Sequence, residues 1–462
     1  MPMRPTAAMA PRMITAAAMA LLTLGATTRD SGATEARMYP VLVRPTLAAP
    51  ETAVTMSFDV NGLRVILRRN SANEVVAANL YLLGGARQLT PATAGIEALL
   101  LAASERGTRH FPGALARSRP ARLGSTISIE ANDDWSAIGL HSIRDTFDST
   151  WAVLADRVMA PTLAPGEVEI IRDQLVTGTQ QRGTQPDEAA TTLADSLLYR
   201  QHPYAIDATG TVASLKGITV AQLKQYHAQQ FLTSRMLLVV VGNVDRAHVE
   251  RLVSSTLGTL PRGSYKWTPP PAITTTGRAL AIENRPLPTN YLLGYVPGPV
   301  ATSPDYTALR VATAVLSGRL FTEVRSRRNL SYAVEAPFLE RAQSVGGLYV
   351  TTVDPNQVLH LMRQELNSLQ TDTVDPLGLK RLEQQFITEY FMKNETNADQ
   401  ANVLARAELF QGDYRAADRF MEALRRVTPE DVRRVAQQYL KDFRFAYVGD
   451  ASKLDRTLLQ QF

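Results

Sequence analysis

An internal duplication constrains the fold of this chain more than any other feature of its sequence. The string NYLLG at 290–294 resembles NLYLLG at 79–84, and AQQYL at 436–440 resembles AQQFL at 228–232. Each half then closes with an apolar stretch that ends in a glycine, Gly242 in the first half and Gly449 in the second. Three matches in the same order and at similar spacing indicate a repeated structural unit. The fold class predicted is α+β, with two homologous domains, each an antiparallel-rich sheet packed with helices.

Local patterns predict the elements of the first half. Alternating apolar residues flank Asn61-Gly62, a pair suited to a tight hairpin turn. A strand is predicted at 75–85, one or two strands at 126–142, and a closing strand at 236–241. Apolar residues recur at helical spacing after Thr93, at Ile96, Leu99, Leu100 and Ala103. Further helices are predicted at 146–158, 165–181, 187–199 and 220–230.

The ends and the middle of the chain set the expected domain boundaries. Two arginines precede a short apolar run that suits a secretory signal, so 1–26 is predicted to be a signal peptide and 27–50 an extended lead-in. Three consecutive prolines at 269–271 favour a stiff linker, placed at 261–278. The homologous domains are then predicted at 51–260 and 279–462, and the mature protein is expected in the periplasm or secreted.

Composition excludes several classes of function. The chain has no cysteine, which rules out disulfides, thiolate metal ligands and a cysteine nucleophile. Its formal net charge of +5 is spread along the chain without a basic, aromatic-rich patch, so no nucleic-acid partner is expected. Only 20% of residues are charged and 45% are hydrophobic, which is typical of a folded protein with a substantial core.

The stretch LSGRLFTEVRSRRNLSY at 316–332 carries the clearest functional pattern. Leu320, Phe321 and Val324 recur at helical spacing, and arginines collect in the last turn, where they complement the helix dipole. Asn329 is suited to the left-handed residue that closes a helix, and a strand is predicted at 330–338. Arg328 and Tyr332 could then converge and offer two donors to an anionic oxygen.

From about residue 52 to the end, the sequence resembles the M16 metallopeptidases, the pitrilysin, insulinase and mitochondrial-processing-peptidase group. The matching motifs are GRLFTEVR at 318–325 with Arg328 and Tyr332, the string HPY at 202–204, and VGNVD at 241–245. The resemblance implies a zinc site built by H-x-x-E-H on a helix, with a further glutamate downstream as third metal ligand. Counted from Gly95 and Gly107, those motif positions hold Ala98, Leu101 and Ala102, and the third-ligand position near Gly178 has no carboxylate.

The resemblance therefore implies a chain that has lost its metal site and kept a helper pair. No cofactor is expected in this chain, and zinc is expected in a partner M16 subunit carrying H-x-x-E-H. In that reading Arg328 and Tyr332 act in trans, holding a peptide substrate and stabilising charge during its hydrolysis.

Alternatives remain open at this stage. The chain could be an inert M16-like scaffold or peptide-binding protein, or a peptidase with an unrecognised site of its own. Arg328 and Tyr332 could also be an ordinary helix-capping arginine and a core tyrosine. The expected role of His202 is a structural one, in the turn before Pro203. Glu130, Asp133 and Asp134 could line a substrate chamber, although a solvated loop is the preferred interpretation.

Overall fold

The computed structural model describes residues 54–462, and these residues belong to one compact unit. The predicted signal peptide and lead-in lie outside the described residues. Within 54–462, no helix combines the length and the apolar character that crossing a membrane requires.

The first sheet has six strands in the order β1-β2-β6-β3-β5-β4. The pair β2/β6 is parallel and the other neighbours are antiparallel. The predicted hairpin is confirmed, because Asn61 and Gly62 have φ values of +51° and +87° and form the turn between the first two strands. The strands are β1 (Thr55–Val60), β2 (Leu63–Arg69), β3 (Val75–Leu83), β4 (Thr126–Ala131), β5 (Trp135–Ile143) and β6 (Met236–Gly242).

The second sheet repeats the central pattern of the first. Its order is β10-β11-β8-β12-β7, with β9 also paired to β11, and β12/β7 is its parallel pair. In both sheets the closing strand of the half lies between a parallel and an antiparallel neighbour. The strands are β7 (Ala279–Asn284), β8 (Asn290–Val300), β9 (Val334–Glu335), β10 (Phe338–Leu339), β11 (Gln343–Thr352) and β12 (Arg444–Gly449).

The register of the sheets corrects one of the sequence matches. Val241 pairs with Ala77, and Val448 at the equivalent place pairs with Tyr291. By that register Gly294 corresponds to Leu80, so it does not correspond to Gly84, which lies beyond the end of β3. The two NLYLLG-like strings therefore occupy different positions along their strands, because pairing with the neighbouring strand sets the register.

Helices surround both sheets. The predicted helices after Thr93 and near 146–158, 165–181, 187–199 and 220–230 are all present. The first half contains α1 (Ile96–Ala103), α2 (Leu115–Arg122), α3 (Phe147–Met159), α4 (Pro165–Thr184), α5 (Pro186–Leu198), α6 (Val212–Gly217), α7 (Val220–Gln230) and α8 (Arg246–Ser255). The second contains α9 (Asp305–Leu320), α10 (Pro355–Thr371), α11 (Pro376–Lys393), α12 (Asn397–Gln411), α13 (Ala416–Arg425), α14 (Pro429–Tyr439) and α15 (Arg456–Leu459).

The repeat extends to helix capping. The side chains of Thr219 before α7 and Thr428 before α14 each accept a hydrogen bond from the backbone N–H three residues on. In return, the side chains of Gln222 and Asp431 accept from the backbone N–H of the capping threonine. This capping box fixes where each helix begins. Both helices have 11 residues and precede the closing strand of their half.

One helix of each half packs on the sheet of the other half. Helix α5 packs on β8 and β12, and Ala190, Ala194 and Leu198 lie buried there. Helix α12 packs on β3 and β6 through Ala401 and Leu404. Each sheet is therefore covered on one face by its own half and on the other face partly by the opposite half.

One predicted strand is wrong in extent. Residues 330–338 were expected to form one strand, but only Val334–Glu335 and Phe338–Leu339 are extended and paired. Pro337 lies between these two short pieces and lacks the N–H donor that a continuous ladder needs. Tyr332 lies before them in a bend.

Candidate functional site

Helix α1 carries the positions where the resemblance implies a zinc motif. It begins after Gly95, whose φ is +82° and whose missing Cβ would lie 2.7 Å from the Gly210 Cα. Nearly the whole helix is buried in the hydrophobic core of the first half. Ala98 and Leu101 are buried, and Ala102 packs against the same core.

These positions do not fit a zinc ion. Alanine and leucine have no lone pairs to donate, and zinc needs imidazole, thiolate or carboxylate ligands. Gly178 lies within α4 and likewise offers no side chain. Within residues 54–462, no three His, Cys, Asp or Glu side chains are grouped to hold a metal ion.

A buried ion pair lies beside these positions, and its acidic member is on the same helix. Glu97 has no exposed surface, and its Oε1 accepts hydrogen bonds from Arg235 Nη2 at 2.5 Å and from the Tyr226 hydroxyl at 2.7 Å. Arg235 Nε also donates to the Leu83 carbonyl at 2.8 Å. Burial and the adjacent carboxylate raise the pKa of the Tyr226 phenol, which keeps it protonated as a donor. Sequence reasoning missed this cluster because its members are far apart in the chain.

The arginine-rich segment continues α9 through a π-helical turn, Phe321–Ser326. Leu320 and Val324 are buried, as their spacing predicted. Asn329 has a φ of +51°, which confirms it as the left-handed residue at the helix end. A π-turn widens the helix and displaces the side chains that follow it.

Arg328 is held by Glu323. Its Nη1 donates to the Glu323 backbone carbonyl at 3.0 Å and also binds the carboxylate. Arg327 binds the other oxygen of the same carboxylate. Hydrogen bonding to Arg328, supported by both arginine charges, lowers the pKa of the Glu323 carboxyl.

Tyr332 lies on the surface and is paired with a different arginine. Its side chain is 79% exposed, and the Arg325 guanidinium lies 4.4 Å from the centre of its ring. Arg325 also lies 5.0 Å from the Phe321 ring. The structure thus brings Arg325 against Tyr332, while Arg328 is bound to Glu323. Sequence reasoning named Arg325 only among the arginines of the last helical turn and expected Arg328 to converge with Tyr332.

The acidic loop after β4 is not solvated throughout. Asp134 is 2% exposed, and both its oxygens accept from the Tyr204 hydroxyl at 2.8 Å. Burial raises the pKa of its carboxyl. Asp133 pairs with Arg341 at 3.1 Å, so the preferred solvated-loop interpretation is wrong for these two residues. The expected turn role of His202 is confirmed, because its Nδ1 accepts from the Tyr204 backbone N–H.

Comparison with known proteins places the fold. Residues 217–386 match the family model described as the peptidase M16 inactive domain. An uncharacterized zinc protease of Mycobacterium leprae is 25% identical over 90% of this chain and 95% of its own length. The beta subunit of the mitochondrial-processing peptidase of Blastocladiella emersonii is 23% identical over 87% of this chain and 89% of its own. A solved structure of a peptidase M16 inactive domain from Pseudomonas fluorescens superposes with a TM-score of 0.78, at 20% identity, covering 86% of this chain and 98% of that one.

Fold and site together define an α+β protein of two similar sheets, in which the helix at the position of the implied zinc motif carries Ala98 and Ala102 where the resemblance implies histidine ligands. Residues 217–386 match the inactive domain of the M16 peptidases, and the chain is similar to M16 peptidases over most of its length.

Proposed function

We propose that this chain is the non-catalytic subunit of a two-chain M16 metallopeptidase and supplies Arg328 and Tyr332 to the zinc site of a partner subunit. The observation that carries the proposal is the exposed Tyr332 phenol beside a cluster of arginines, in a chain whose positions 98, 101 and 102 offer no metal-binding side chain. The reaction of the complex is hydrolysis of peptides. The leader-like amino terminus supports a periplasmic or secreted location.

The exposed groups suit the stabilisation of an oxyanion. A phenol and a guanidinium are both hydrogen-bond donors, and donors aimed at developing negative charge lower the barrier to acyl transfer. The Tyr332 ring contacts Arg325, and within residues 54–462 its hydroxyl has no hydrogen-bond partner and can donate to a ligand. Arg328 uses Nη1 for both contacts with Glu323, so its Nε and Nη2 donors remain available.

One observation favours a second function, an inert scaffold or peptide-binding protein. The Glu323 carboxylate already neutralises Arg328, and a purely structural role would use the same ion pair. In that case Arg328 would be dispensable for activity in any complex that the chain forms.

The test is to purify the chain with a zinc-bearing M16 partner and to measure peptide hydrolysis. We expect Arg328→Ala to lower kcat by about 10²-fold, as is usual for the loss of an oxyanion donor, with a smaller effect on KM. Tyr332→Phe keeps the ring against Arg325 but removes the hydroxyl, and we expect a similar loss. Arg325→Ala should misplace the tyrosine ring.

Arg327→Ala is the matched control, because Arg327 lies in the same turn and binds the same glutamate. It should leave turnover unchanged while the subunits still co-elute in gel filtration. Full activity of the Arg328→Ala and Tyr332→Phe complexes would reject the helper role and favour the scaffold. Peptide hydrolysis by the isolated chain would contradict its non-catalytic assignment.

A further inference from the structure

The segment between α1 and β4 presents a cluster of arginines on the surface, together with an exposed apolar loop. Residues 105–124 contain five arginines and one carboxylate, that of Glu105. Arg106 is paired with Glu105 and Glu167. The other four arginines are exposed, and they are Arg109, Arg117, Arg119 and Arg122. We propose that residues 109–122, here called the arginine surface, dock on a lipid bilayer that contains anionic phospholipids.

The four exposed guanidinium groups lack counter-ions in the folded chain. None of them has an ion pair or a side-chain hydrogen bond within residues 54–462. Helix α2 has its main contacts with α3, β4 and the turn Ser104–Arg106, and the carboxylates on these elements have other partners. Those of Glu105, Asp148, Asp156 and Glu130 are bound by Arg106, His248, His110 and Asn132, respectively. The arginine surface therefore offers its positive charge to a partner.

The loop before α2 is apolar and protrudes from the surface. Residues 111–115, Phe-Pro-Gly-Ala-Leu, have no polar side chain, and all except Phe111 are exposed. Gly113 has a φ of +54°, and a Cβ added there would meet no atom within 4 Å. Such a tip can exchange contact with water for contact with the boundary between headgroups and acyl chains.

The protruding loop is fixed at its base. The backbone N–H of Thr108 donates to the Phe111 carbonyl at 3.0 Å, and the Phe111 N–H donates to the Thr108 hydroxyl at 3.1 Å. The His110 N–H donates to Asp156 Oδ2 at 2.8 Å. A loop that is ordered before binding loses little conformational entropy when it docks.

Helix α2 places cations beside the apolar tip. Leu115, Arg119 and Arg122 are four and three residues apart, so they follow one stripe of the helix surface. The Arg119 guanidinium lies 5.9 Å from the centre of the Phe111 ring. Arginine binds phosphate oxygens through paired N–H donors. The stripe therefore presents donors for lipid phosphates next to a side chain that suits hydrocarbon.

The apolar tip favours a bilayer over an acidic peptide as the partner. Carboxylates of a peptide would pair with the arginines but would give residues 111–115 no apolar surface. A bilayer offers phosphates and hydrocarbon at neighbouring depths, and attachment to it is stronger when charge and apolar contact act together.

The test uses the isolated full chain and needs no partner subunit. Vesicles of phosphatidylcholine alone are compared with vesicles in which about one-third of the lipid is phosphatidylglycerol, and bound protein is measured by co-sedimentation. We expect binding to the anionic vesicles to be at least about 10-fold tighter, because each arginine near the surface adds attraction. Sodium chloride at about 0.5 M should release most of the protein, since it screens these charges.

Variants separate the two parts of the arginine surface. Arg119→Gln and Arg122→Gln should each weaken binding to anionic vesicles by about 5-fold. Leu115→Ser keeps the charge and should also weaken binding, because less apolar surface leaves water. Arg381→Gln is the matched control, since Arg381 on α11 is exposed and has no ion pair within the described residues. It should leave binding unchanged.

The lack of cysteine allows a direct measurement of insertion. A single cysteine introduced as Ala114→Cys can be labelled with a fluorophore that responds to the polarity of its surroundings. Its emission should shift to shorter wavelength on anionic vesicles. The same label at Gln384→Cys, an exposed position on α11, should show no shift.

Three results would overturn the inference. They are equal binding to both kinds of vesicle, binding that the combined Arg119→Gln and Arg122→Gln variant retains in full, and binding of a labelled glutamate-rich peptide without binding of vesicles. The last would indicate an acidic protein partner. Arg328→Ala should bind vesicles normally, which separates this surface from the proposed helper role. If Leu115→Ser fails to fold by circular dichroism, the comparison of vesicles on the unaltered chain still decides the question.

Discussion

At the residue scale, Glu97 on α1 has a structural role, because it pairs with Arg235 inside the protein. The side chains are 0% and 1% exposed, and the two opposite charges are in contact. Removing one partner of such a pair leaves a charge buried without compensation, which is far more costly than losing a surface pair. The carboxylate on α1 therefore stabilises the fold.

Glu97→Ala should destabilise the protein by about 3–5 kcal/mol, because Arg235 would stay buried without its counter-ion. Urea unfolding followed by circular dichroism measures the change. Glu422→Ala is the control, since it removes a carboxylate from a pair whose side chains are 61% and 75% exposed and should cost less than about 1 kcal/mol. Similar small changes for both variants would contradict the structural role of Glu97.

At the scale of elements, the exchange of helices between the two halves determines which faces are buried. Helix α12 comes from the second half, yet Leu404 and Ala405 are fully buried against the first sheet. Trp267 in the predicted linker donates its indole N–H to the Leu409 carbonyl at 2.8 Å, so that segment is fastened to α12. The two sheets are thus coupled through elements that leave their own half.

Leu404→Ala should destabilise the protein by about 2–5 kcal/mol, because it opens a cavity between α12 and the first sheet. Leu377→Ala at the start of α11 is the comparison, since that leucine is 65% exposed and its loss should change stability by less than about 0.5 kcal/mol. The urea midpoint and slope of each variant measure this difference. Equal effects would show that α12 contributes little to the packing of the first sheet.

At the scale of the whole molecule, the turn between β10 and β11 joins several parts of the chain. Glu340 binds Arg310 on α9 and Arg406 on α12, and the next residue, Arg341, binds Asp133 and the Tyr199 hydroxyl of the first half. Burial by itself would raise the pKa of the Glu340 carboxyl, but the two guanidinium groups outweigh burial and hold it below its ordinary value of 4.5.

The lowered pKa of Glu340 predicts how the stability of the molecule depends on pH. Its ionised form is favoured in the folded state, so its contribution is fully present above the unfolded value near 4.5 and is lost as the pH falls through the lower folded value. Glu340→Gln should therefore destabilise the protein by about 1.5–3 kcal/mol at pH 7. The difference from the unaltered protein should shrink below pH 4.5.

Unfolding free energies measured from pH 7 down to about pH 3 test this dependence. Glu422→Gln, at the exposed pair on α13, serves as the control and should differ little from the unaltered protein over the same range. A difference for Glu340→Gln that grows as the pH falls would contradict the sign of the shift.

Periodicity and turn chemistry in the sequence determined the local elements and their duplication. Asn61-Gly62, the apolar face of α1 and the left-handed Asn329 could all be predicted, because each depends on neighbours within a few residues. The lack of metal-binding side chains at Ala98 and Ala102 and of a carboxylate at Leu101, where the resemblance implies a zinc motif, could also be seen in the sequence, since it depends only on side-chain chemistry.

Only the tertiary structure decided which distant residues meet. It paired Glu97 with Arg235, buried Asp134 against Tyr204, and brought Arg325 to Tyr332 after a π-turn that no local pattern indicated. It also placed α5 on the second sheet and α12 on the first sheet. These outcomes depend on the packing of the whole chain. Partners far away in sequence determine which apolar face is buried and which buried charge is paired.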